Sequence, residues 1–208
     1  MTWSLWLAFF AASWAISISP GPGAVAVMSA SLAHGFARGY FATFGLVLGL
    51  WTQLLIVAAG LGAVIATSAT AFIAIKWFGV AYLVFLGARQ FFAPPILPAV
   101  ARRGARATSR RRIVAETWLL NAVNPKGTAF MLAVVPQFLV PSDPLAPQYL
   151  VIGATLAFTD LVVNAGYAAI AARLLGWLHT TARVRAVNRV FGSVFVTLGI
   201  VLATFRRA

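Results

Sequence analysis

Long apolar runs, separated by short polar segments, dominate the chain from end to end. Most of them reach the length of about 20 residues that an α-helix needs to cross the hydrocarbon of a bilayer. We therefore predict an all-α integral membrane protein with six transmembrane helices. The six runs cover approximately residues 3–33, 40–67, 71–92, 118–140, 148–175 and 190–205.

The composition supports a membrane location. Of the 208 residues, 62% are hydrophobic and 9% are charged, and the mean hydropathy is +0.92. A soluble chain of this size could not bury so much apolar surface in one core, so lipid must cover part of it. The chain has no cysteine, which excludes disulfides and thiolate metal sites. Because His34 and His179 have no second ligand at a metal-binding spacing, we expect no metal, no cofactor and no enzymatic activity.

Positive charge is concentrated between the third and fourth runs. The chain has 16 Lys and Arg against 3 Asp and Glu, a net charge of +13. Because cytoplasmic loops carry the excess of basic residues, we place the linker, residues 93–115, in the cytoplasm and both termini outside. No aromatic residue lies among its arginines, which favours contact with lipid headgroups over nucleic acid. The arginines concerned are Arg102, Arg103, Arg106, Arg110, Arg111 and Arg112, with a second cytoplasmic loop at Arg183, Arg185 and Arg189, and with Arg206 and Arg207 as exceptions.

The basic linker divides a single domain, residues 1–208, into two halves of three runs each. The halves are residues 1–92 and 116–208, and they enter the membrane from opposite faces. We therefore predict two inverted three-helix repeats, an arrangement in which broken helices form a substrate site near the bilayer midplane.

Prolines interrupt the first run of each half at a similar depth. Pro20 lies 17 residues after Trp3, and Pro136 lies 18 residues after Trp118. Proline removes an amide donor and clashes with the preceding turn, so carbonyl groups are freed at membrane depth. Their partners could be water, a cation, a substrate ammonium, or a neighbouring Ser or Thr.

Polar side chains form a stripe on the predicted fifth helix. Asn164 and Tyr167 follow Asp160 at helical spacings of four and seven residues, so the three share one face. A carboxylate in mid-membrane costs about 3 kcal/mol on insertion scales, so Asp160 should face protein or water. It could serve substrate and proton transfer, or it could be a neutral carboxyl group that only fixes helix packing.

Lys126 on the fourth run offers a counter-charge. We place it at a depth similar to that of Asp160. A pair between Lys126 and Asp160 is therefore our hypothesis for charge compensation. The alternative is that the long Lys126 side chain reaches the cytoplasmic headgroups. Asn124-Pro125 should disturb the helix immediately before it.

Two pairs of glycines at a spacing of four indicate close helix approach. They are Gly35 with Gly39, and Gly45 with Gly49. Small residues at this spacing let helix backbones come into contact within a membrane. We expect a packing role, and these faces are also candidate contacts for a homo-oligomer.

Several short motifs follow one another along the chain. They are Ser19-Pro20-Gly21-Pro22, His34-Gly35 with Gly39, Gly45-x-x-x-Gly49, residues 75–87, and Asn121-Ala122-Val123-Asn124-Pro125-Lys126 with Pro136-Gln137-Phe138. Together with Asp160, this series resembles the LysE/RhtB family of bacterial amino-acid exporters over nearly the full length. Gly23 and Leu50 stand where many members have a polar or acidic residue, so the resemblance implies no particular substrate.

The resemblance implies secondary export of amino acids or related small metabolites across the bacterial inner membrane, driven by the proton-motive force. We interpret the polar features as a midplane site for the ammonium and carboxylate groups of such a substrate, with Asp160 also carrying the coupling proton. A non-transporting membrane scaffold and a passive channel for small solutes or ions are the alternatives. The candidate binding residues are Pro20, Gly21, Pro22, Asn124, Lys126, Gln137, Asp160 and Asn164.

Overall fold

A computed structural model describes residues 1–67, 69–95, 109–177 and 179–204. The secondary structure in these ranges is helical, which confirms the all-α prediction. The helices are α1 (Trp3–Ile18), α2 (Pro22–His34), α3 (Phe36–Gly39), α4 (Phe41–Thr67), α5 (Ala69–Phe91), α6 (Arg110–Ala122), α7 (Pro125–Val134), a 3-10 helix (Val135–Phe138), α8 (Leu145–Trp177) and α9 (Thr181–Thr204). Ser68 and the basic residues Arg102, Arg103, Arg106, Arg206 and Arg207 lie outside the described residues.

The first apolar run is a broken helix, as the sequence predicted. The helix α1 ends at Ile18, α2 begins at Pro22, and the two are bent by 55°. Pro22 occupies the first position of α2, where the missing amide costs no intrahelical hydrogen bond. Ser19 and Gly21 are extended. The proline-rich segment therefore starts a new helix instead of kinking a continuous one.

The fourth run breaks in the same way. The helix α6 ends at Ala122, and α7 begins with Pro125 at its first position. The Asn124 side chain caps α7 by accepting a hydrogen bond from the Lys126 amide at 3.1 Å. The disturbance predicted at Asn124-Pro125 is therefore confirmed. We had placed the break at Pro136, which lies further along the chain, in the 3-10 helix.

Two helices begin earlier in the chain than predicted, and both extensions are rich in arginine. Ser109 caps α6 by accepting from the Arg112 amide at 3.3 Å, so the helix starts inside the predicted linker. The helix α9 starts at Thr181, so the predicted second basic loop is helical. Arginine is a good helix former, and its long side chain suits the membrane interface, so helices continue past the apolar runs. The arginines concerned are Arg110, Arg111, Arg112, Arg183, Arg185 and Arg189.

Several helices have the length and composition of membrane spans. Within the described residues these are Phe36–Gly60, Leu145–Ala171 and Thr181–Val201, and the bent pair of α1 and α2 makes a fourth if counted as one span. Large apolar side chains on them are exposed, such as Leu55 at 65% and Leu150 at 61%. Such surfaces suit lipid. The chain is a multi-pass membrane protein, and the number of six spans stays a prediction.

The helices pack in pairs, and the most extensive contacts join α5 to α9 and α4 to α6. Glycines make the second contact possible: a Cβ at Gly45 would lie 2.2 Å from the Val114 carbonyl oxygen, and one at Gly49 would lie 2.7 Å from the Asn121 Cβ. The Thr117 hydroxyl also donates to the Ala42 carbonyl at 2.9 Å. These contacts confirm the packing role of this pair.

Contacts within the chain cover three of the four glycines proposed for oligomer faces. Gly45 and Gly49 are buried against α6 of their own chain, and a Cβ at Gly39 would lie 2.3 Å from the Ser31 backbone. Gly35 is exposed and has a φ of 82°, a conformation that favours glycine. It therefore forms the turn between α2 and α3. A second copy of the chain cannot reach the three buried glycines.

Gly45→Ala is expected to lower the free energy of unfolding by about 1–3 kcal/mol, the usual cost of overpacking. The added methyl group would press on the backbone of α6, which cannot move aside as a flexible side chain could. A thermal unfolding series in detergent measures the change. Gly166→Ala is the matched control, because nothing lies within 4 Å of a Cβ at that position. Equal melting temperatures for both variants would contradict the packing described here.

Candidate functional site

The breaks of the two interrupted segments meet at one cavity of about 100 Å³. By the usual space that a water occupies, this volume holds several water molecules. The break between α1 and α2 lines one side, and the break between α6 and α7 lines another, with α4 and α8 completing the wall. Its polar lining consists of Ser17, Ser19, Gln53, Asn121, Asn124, Lys126, Asp160 and Asn164.

The structure brings together five of the eight residues that the sequence singled out. Gly21, Asn124, Lys126, Asp160 and Asn164 line the cavity. Their roles in binding are taken up under the proposed function.

The other three do not line it. Pro20 and Pro22 shape the break beside the cavity without forming part of its wall. Gln137 lies in the 3-10 helix, outside the cavity, and its Nε2 is buried with no hydrogen-bond partner. Gln137 therefore does not join this site, contrary to expectation. We had placed the break of the fourth run at Pro136, but the break lies eleven residues earlier, at Asn124-Pro125.

Lys126 reaches across from the second break to the first. Its Nζ donates to the Ser19 carbonyl oxygen at 2.9 Å and to the Ser19 hydroxyl at 2.7 Å. The Phe195 ring lies below the ammonium, with its centroid 5.4 Å away, a distance at which a cation is attracted to the ring face. The side chain therefore points into the protein, and the alternative that it reaches the headgroups was wrong.

Asp160 is held by the first helix. Its Oδ1 accepts a hydrogen bond from the Ser17 hydroxyl at 2.6 Å, a short charge-assisted geometry. The Ser17 hydroxyl also lies 3.0 Å from that of Thr159. Asn164 donates from its Nδ2 to the Asp160 carbonyl, one turn back on α8, at 2.9 Å.

The predicted pair of Lys126 with Asp160 needs correction. In the part of the chain that the structure describes, no contact of 4.0 Å or less joins the ammonium to the carboxylate. Instead each charge is bound to a serine at the end of the first helix: Lys126 to Ser19, in the break, and Asp160 to Ser17, in the last turn of α1. Both still line the same cavity, so the two opposite charges face one small polar volume and leave space between them.

The carbonyl groups freed by the breaks are bonded to side chains. The Tyr167 hydroxyl donates to the Ile18 carbonyl at the end of α1. Gln53 Nε2 donates to the carbonyls of Asn121 and Asn124, at 2.7 and 2.9 Å, at the end of α6. These three carbonyls beside the breaks thus have side-chain donors, which a low-dielectric environment favours.

Gln53 and Ser17 are cavity residues that the sequence interpretation missed, and Gln53 is the one that carried a signal. It is 2% exposed, lies on α4, and lines the cavity. It stands alone as an amide within an apolar run, without polar neighbours at helical spacing on its face. A lone buried amide in a membrane helix is itself a signal, because such a group needs a partner within the bundle.

The site has the chemistry to hold a small zwitterion. A cation, an anion and several amide groups converge on one cavity, which is what an ammonium and a carboxylate on one small molecule would require. Within the described residues, no group of three or more His, Cys, Asp or Glu side chains could hold a metal ion.

Comparison with known proteins identifies the family. The family model described as "LysE type translocator" matches residues 14–205. The homoserine/homoserine lactone efflux protein of Salmonella typhimurium is 36% identical over 208 residues, covering 100% of each chain. An uncharacterized membrane protein of Vibrio cholerae is 36% identical, covering 96% of this chain and 97% of its own.

A leucine efflux protein of Enterobacter is more distant, at 25% identity, and the match covers 91% of this chain and 90% of that protein. No solved structure matches the chain. The family match spans most of the chain and confirms the resemblance that the motifs carried. The chain therefore belongs to the LysE type translocator family.

Proposed function

We propose that the protein exports amino acids or related small metabolites from the cytoplasm across the bacterial inner membrane, as a proton-coupled secondary transporter. The observation that carries this proposal is the cavity between the two helix breaks, in which Lys126 and Asp160 present opposite charges without neutralising each other directly. A chain of a translocator family is a transport protein and not an enzyme.

The names of relatives support a substrate of the amino-acid class. Two are called efflux proteins, one for homoserine and its lactone and one for leucine. Homoserine and leucine share an ammonium and a carboxylate on one carbon and differ in the side chain. The shared part fits the two charges of the cavity: Asp160 suits the ammonium, and Lys126 suits the carboxylate.

Alternating access of two inverted three-helix repeats is the mechanism that we propose. The two breaks support it, because each consists of a short turn followed by a proline at the first position of the next helix. Broken helices of this kind form the midplane sites of transporters built from inverted repeats. The repeats would comprise residues 1–92 and 116–208, joined by the cytoplasmic linker, and would rock around the cavity.

Asp160 is our candidate for the coupling proton. It is the carboxylate in the cavity lining, and a carboxyl group in a transporter core can bind and release a proton as solvent access changes sides. The Ser17 hydroxyl donates to it at 2.6 Å, so movement of α1 away from α8 would change the contacts of this carboxyl group.

Proteoliposomes under an imposed pH gradient test the proposal. Purified protein is reconstituted with labelled homoserine or leucine inside, and release is followed with and without the gradient. We expect release that the gradient drives and that protein-free liposomes lack. Release at the same rate without the gradient would indicate a passive channel. Retention of a broad amino-acid panel would favour the scaffold.

A further inference from the structure

The groups around the Lys126 ammonium are those that would bind the ammonium of a small molecule. A primary ammonium has three donors, and here two acceptors at the helix break, the carbonyl and hydroxyl oxygens of Ser19, receive hydrogen bonds at 2.9 and 2.7 Å. The face of Phe195 lies 5.4 Å from the nitrogen. Asp160 lines the same cavity. The group so held is chemically the same as the ammonium of an amino acid.

We propose that Lys126 is an internal occupant of the substrate's ammonium site, which an incoming amino acid must displace. In this state the lysine fills the place between Ser19 and Phe195, and in the loaded state the substrate ammonium takes those acceptors. The inference rests on the proposed function, and it specifies which group binds where.

The two breaks differ in how firmly their carbonyls are held. The Ile18 carbonyl accepts from Tyr167, and those of Asn121 and Asn124 accept from Gln53, whose side chain is 2% exposed. Tyrosine and buried glutamine have few ways to swing aside. The Ser19 acceptors are held by a flexible four-carbon stem instead. Of these carbonyls, that of Ser19 can therefore exchange its donor at least cost.

The displaced lysine has space nearby. Its stem runs past Gly21, where a Cβ would lie 3.7 Å from the Lys126 Cδ and 3.6 Å from Nζ. Since Lys126 lines the cavity, rotation of its side chain would move the ammonium from Ser19 toward the cavity volume. There it would meet the carboxylate of the same substrate molecule. The same lysine thus occupies the ammonium site when no substrate is bound and contacts the substrate carboxylate when one is bound.

A single engineered thiol makes this inference testable, because the chain has no cysteine of its own. Lys126→Cys removes the ammonium, and 2-bromoethylamine then restores one by alkylating the thiolate with loss of bromide. Iodoacetamide adds a neutral group of similar size to the same thiol and is the matched control. Binding of two probes to the purified protein is measured by titration calorimetry: 3-aminopropan-1-ol, which has only the ammonium, and 4-hydroxybutanoate, which has only the carboxylate.

We expect Lys126→Cys to bind 3-aminopropan-1-ol at least about tenfold more tightly than the unmodified protein does, because the loss of one charge-assisted competitor is worth that much. Treatment with 2-bromoethylamine should abolish the gain, and iodoacetamide should preserve most of it. Adding Ser19→Ala to Lys126→Cys should weaken probe binding by about threefold or more, since one acceptor is lost. Lys126→Met, of similar length and without a charge, should behave like Lys126→Cys if the cysteine variant is unstable.

Unchanged or weaker binding of 3-aminopropan-1-ol in both Lys126 variants would overturn the inference. The inference would also be overturned if Lys126→Cys binds 3-aminopropan-1-ol more tightly and adding Ser19→Ala does not weaken that binding. The loss of positive charge alone would then explain the tighter binding. A loss confined to 4-hydroxybutanoate would assign Lys126 to the carboxylate alone, with the same consequence. These measurements need no transport, so they fail or succeed separately from the proteoliposome test of export.

Discussion

Asp160→Asn is expected to reduce gradient-driven release of amino acid from proteoliposomes by about a hundredfold or more. The substitution preserves size and removes the charge, so Lys126 is left as the charged group of the cavity lining. Truncating one partner of a buried, hydrogen-bonded charge pair, here the proposed pair with the substrate ammonium, commonly costs about 2–5 kcal/mol of binding. The neutral amide can also carry no coupling proton. Initial rates with and without the pH gradient measure both effects.

Asp143→Asn is the matched control for this prediction. Asp143 lies in the segment before α8, is exposed, and pairs with the amino terminus at 3.3 Å, away from the cavity. The same chemical change there should leave release within about twofold of the unmodified protein, as expected for an exposed ion pair. Folding of both variants is checked by elution profile and melting temperature. If Asp160→Asn still releases substrate at the full gradient-dependent rate, the carboxylate has no part in transport.

Gln53→Met is expected to lower the free energy of unfolding by about 1–3 kcal/mol. Methionine has nearly the same length and no donor, so the carbonyls of Asn121 and Asn124 lose the amide that serves both. Each carbonyl keeps a backbone donor, the amide of Asn124 or of Thr128, so the cost is that of two lost hydrogen bonds, each worth about 0.5–1.5 kcal/mol net. The loss should appear as a clear fall in melting temperature and, because the α6–α7 break then loosens, as slower transport.

The comparison for this variant is Gln90→Met on α5. Gln90 also donates from its Nε2, but to a single partner, the Asn188 side chain at 2.9 Å, and it lies outside the cavity. We expect a loss of about 1 kcal/mol there, the usual net value of one hydrogen bond, and transport near the normal rate. A Gln53→Met variant as stable as Gln90→Met would show that the α6–α7 break needs no support from α4.

The sequence predicted well the features that depend only on residues close together in the chain. The apolar runs indicated helices, and Ser19-Pro20-Gly21-Pro22 indicated a break, because proline lacks an amide wherever it stands. The spacing of Asp160 and Asn164 put both on one face of α8, and both line the cavity. Such inferences need no knowledge of how the helices pack.

The features that it missed depend on tertiary contacts. No local pattern reveals that Gln53, on α4, reaches the end of α6. Depth alone suggested a direct pair of Lys126 with Asp160, whereas the first break lies beside them and offers each charge a serine. Gln137 was placed in the site because Pro136 was read as the break, although Pro125 forms it. Helix boundaries at the basic ends also shifted, because arginine continues a helix readily.

The central claim is that the cavity between the two breaks holds the transported molecule, and substrate protection of a cysteine in its wall tests this most directly. Ser17→Cys is nearly isosteric and lines the cavity, and Ser142→Cys lies exposed in the segment before α8. Each would be the single thiol of a chain without native cysteine. The rate of modification by a small methanethiosulfonate reagent is measured with and without homoserine or leucine, whichever the protein transports.

At a substrate concentration of ten times the dissociation constant, about one site in eleven stays free. We therefore predict that modification of Ser17→Cys slows by about tenfold, whereas that of Ser142→Cys is unchanged. Equal rates at Ser17→Cys with and without a substrate that the same variant transports would contradict the account, because the molecule would then cross the membrane by another route.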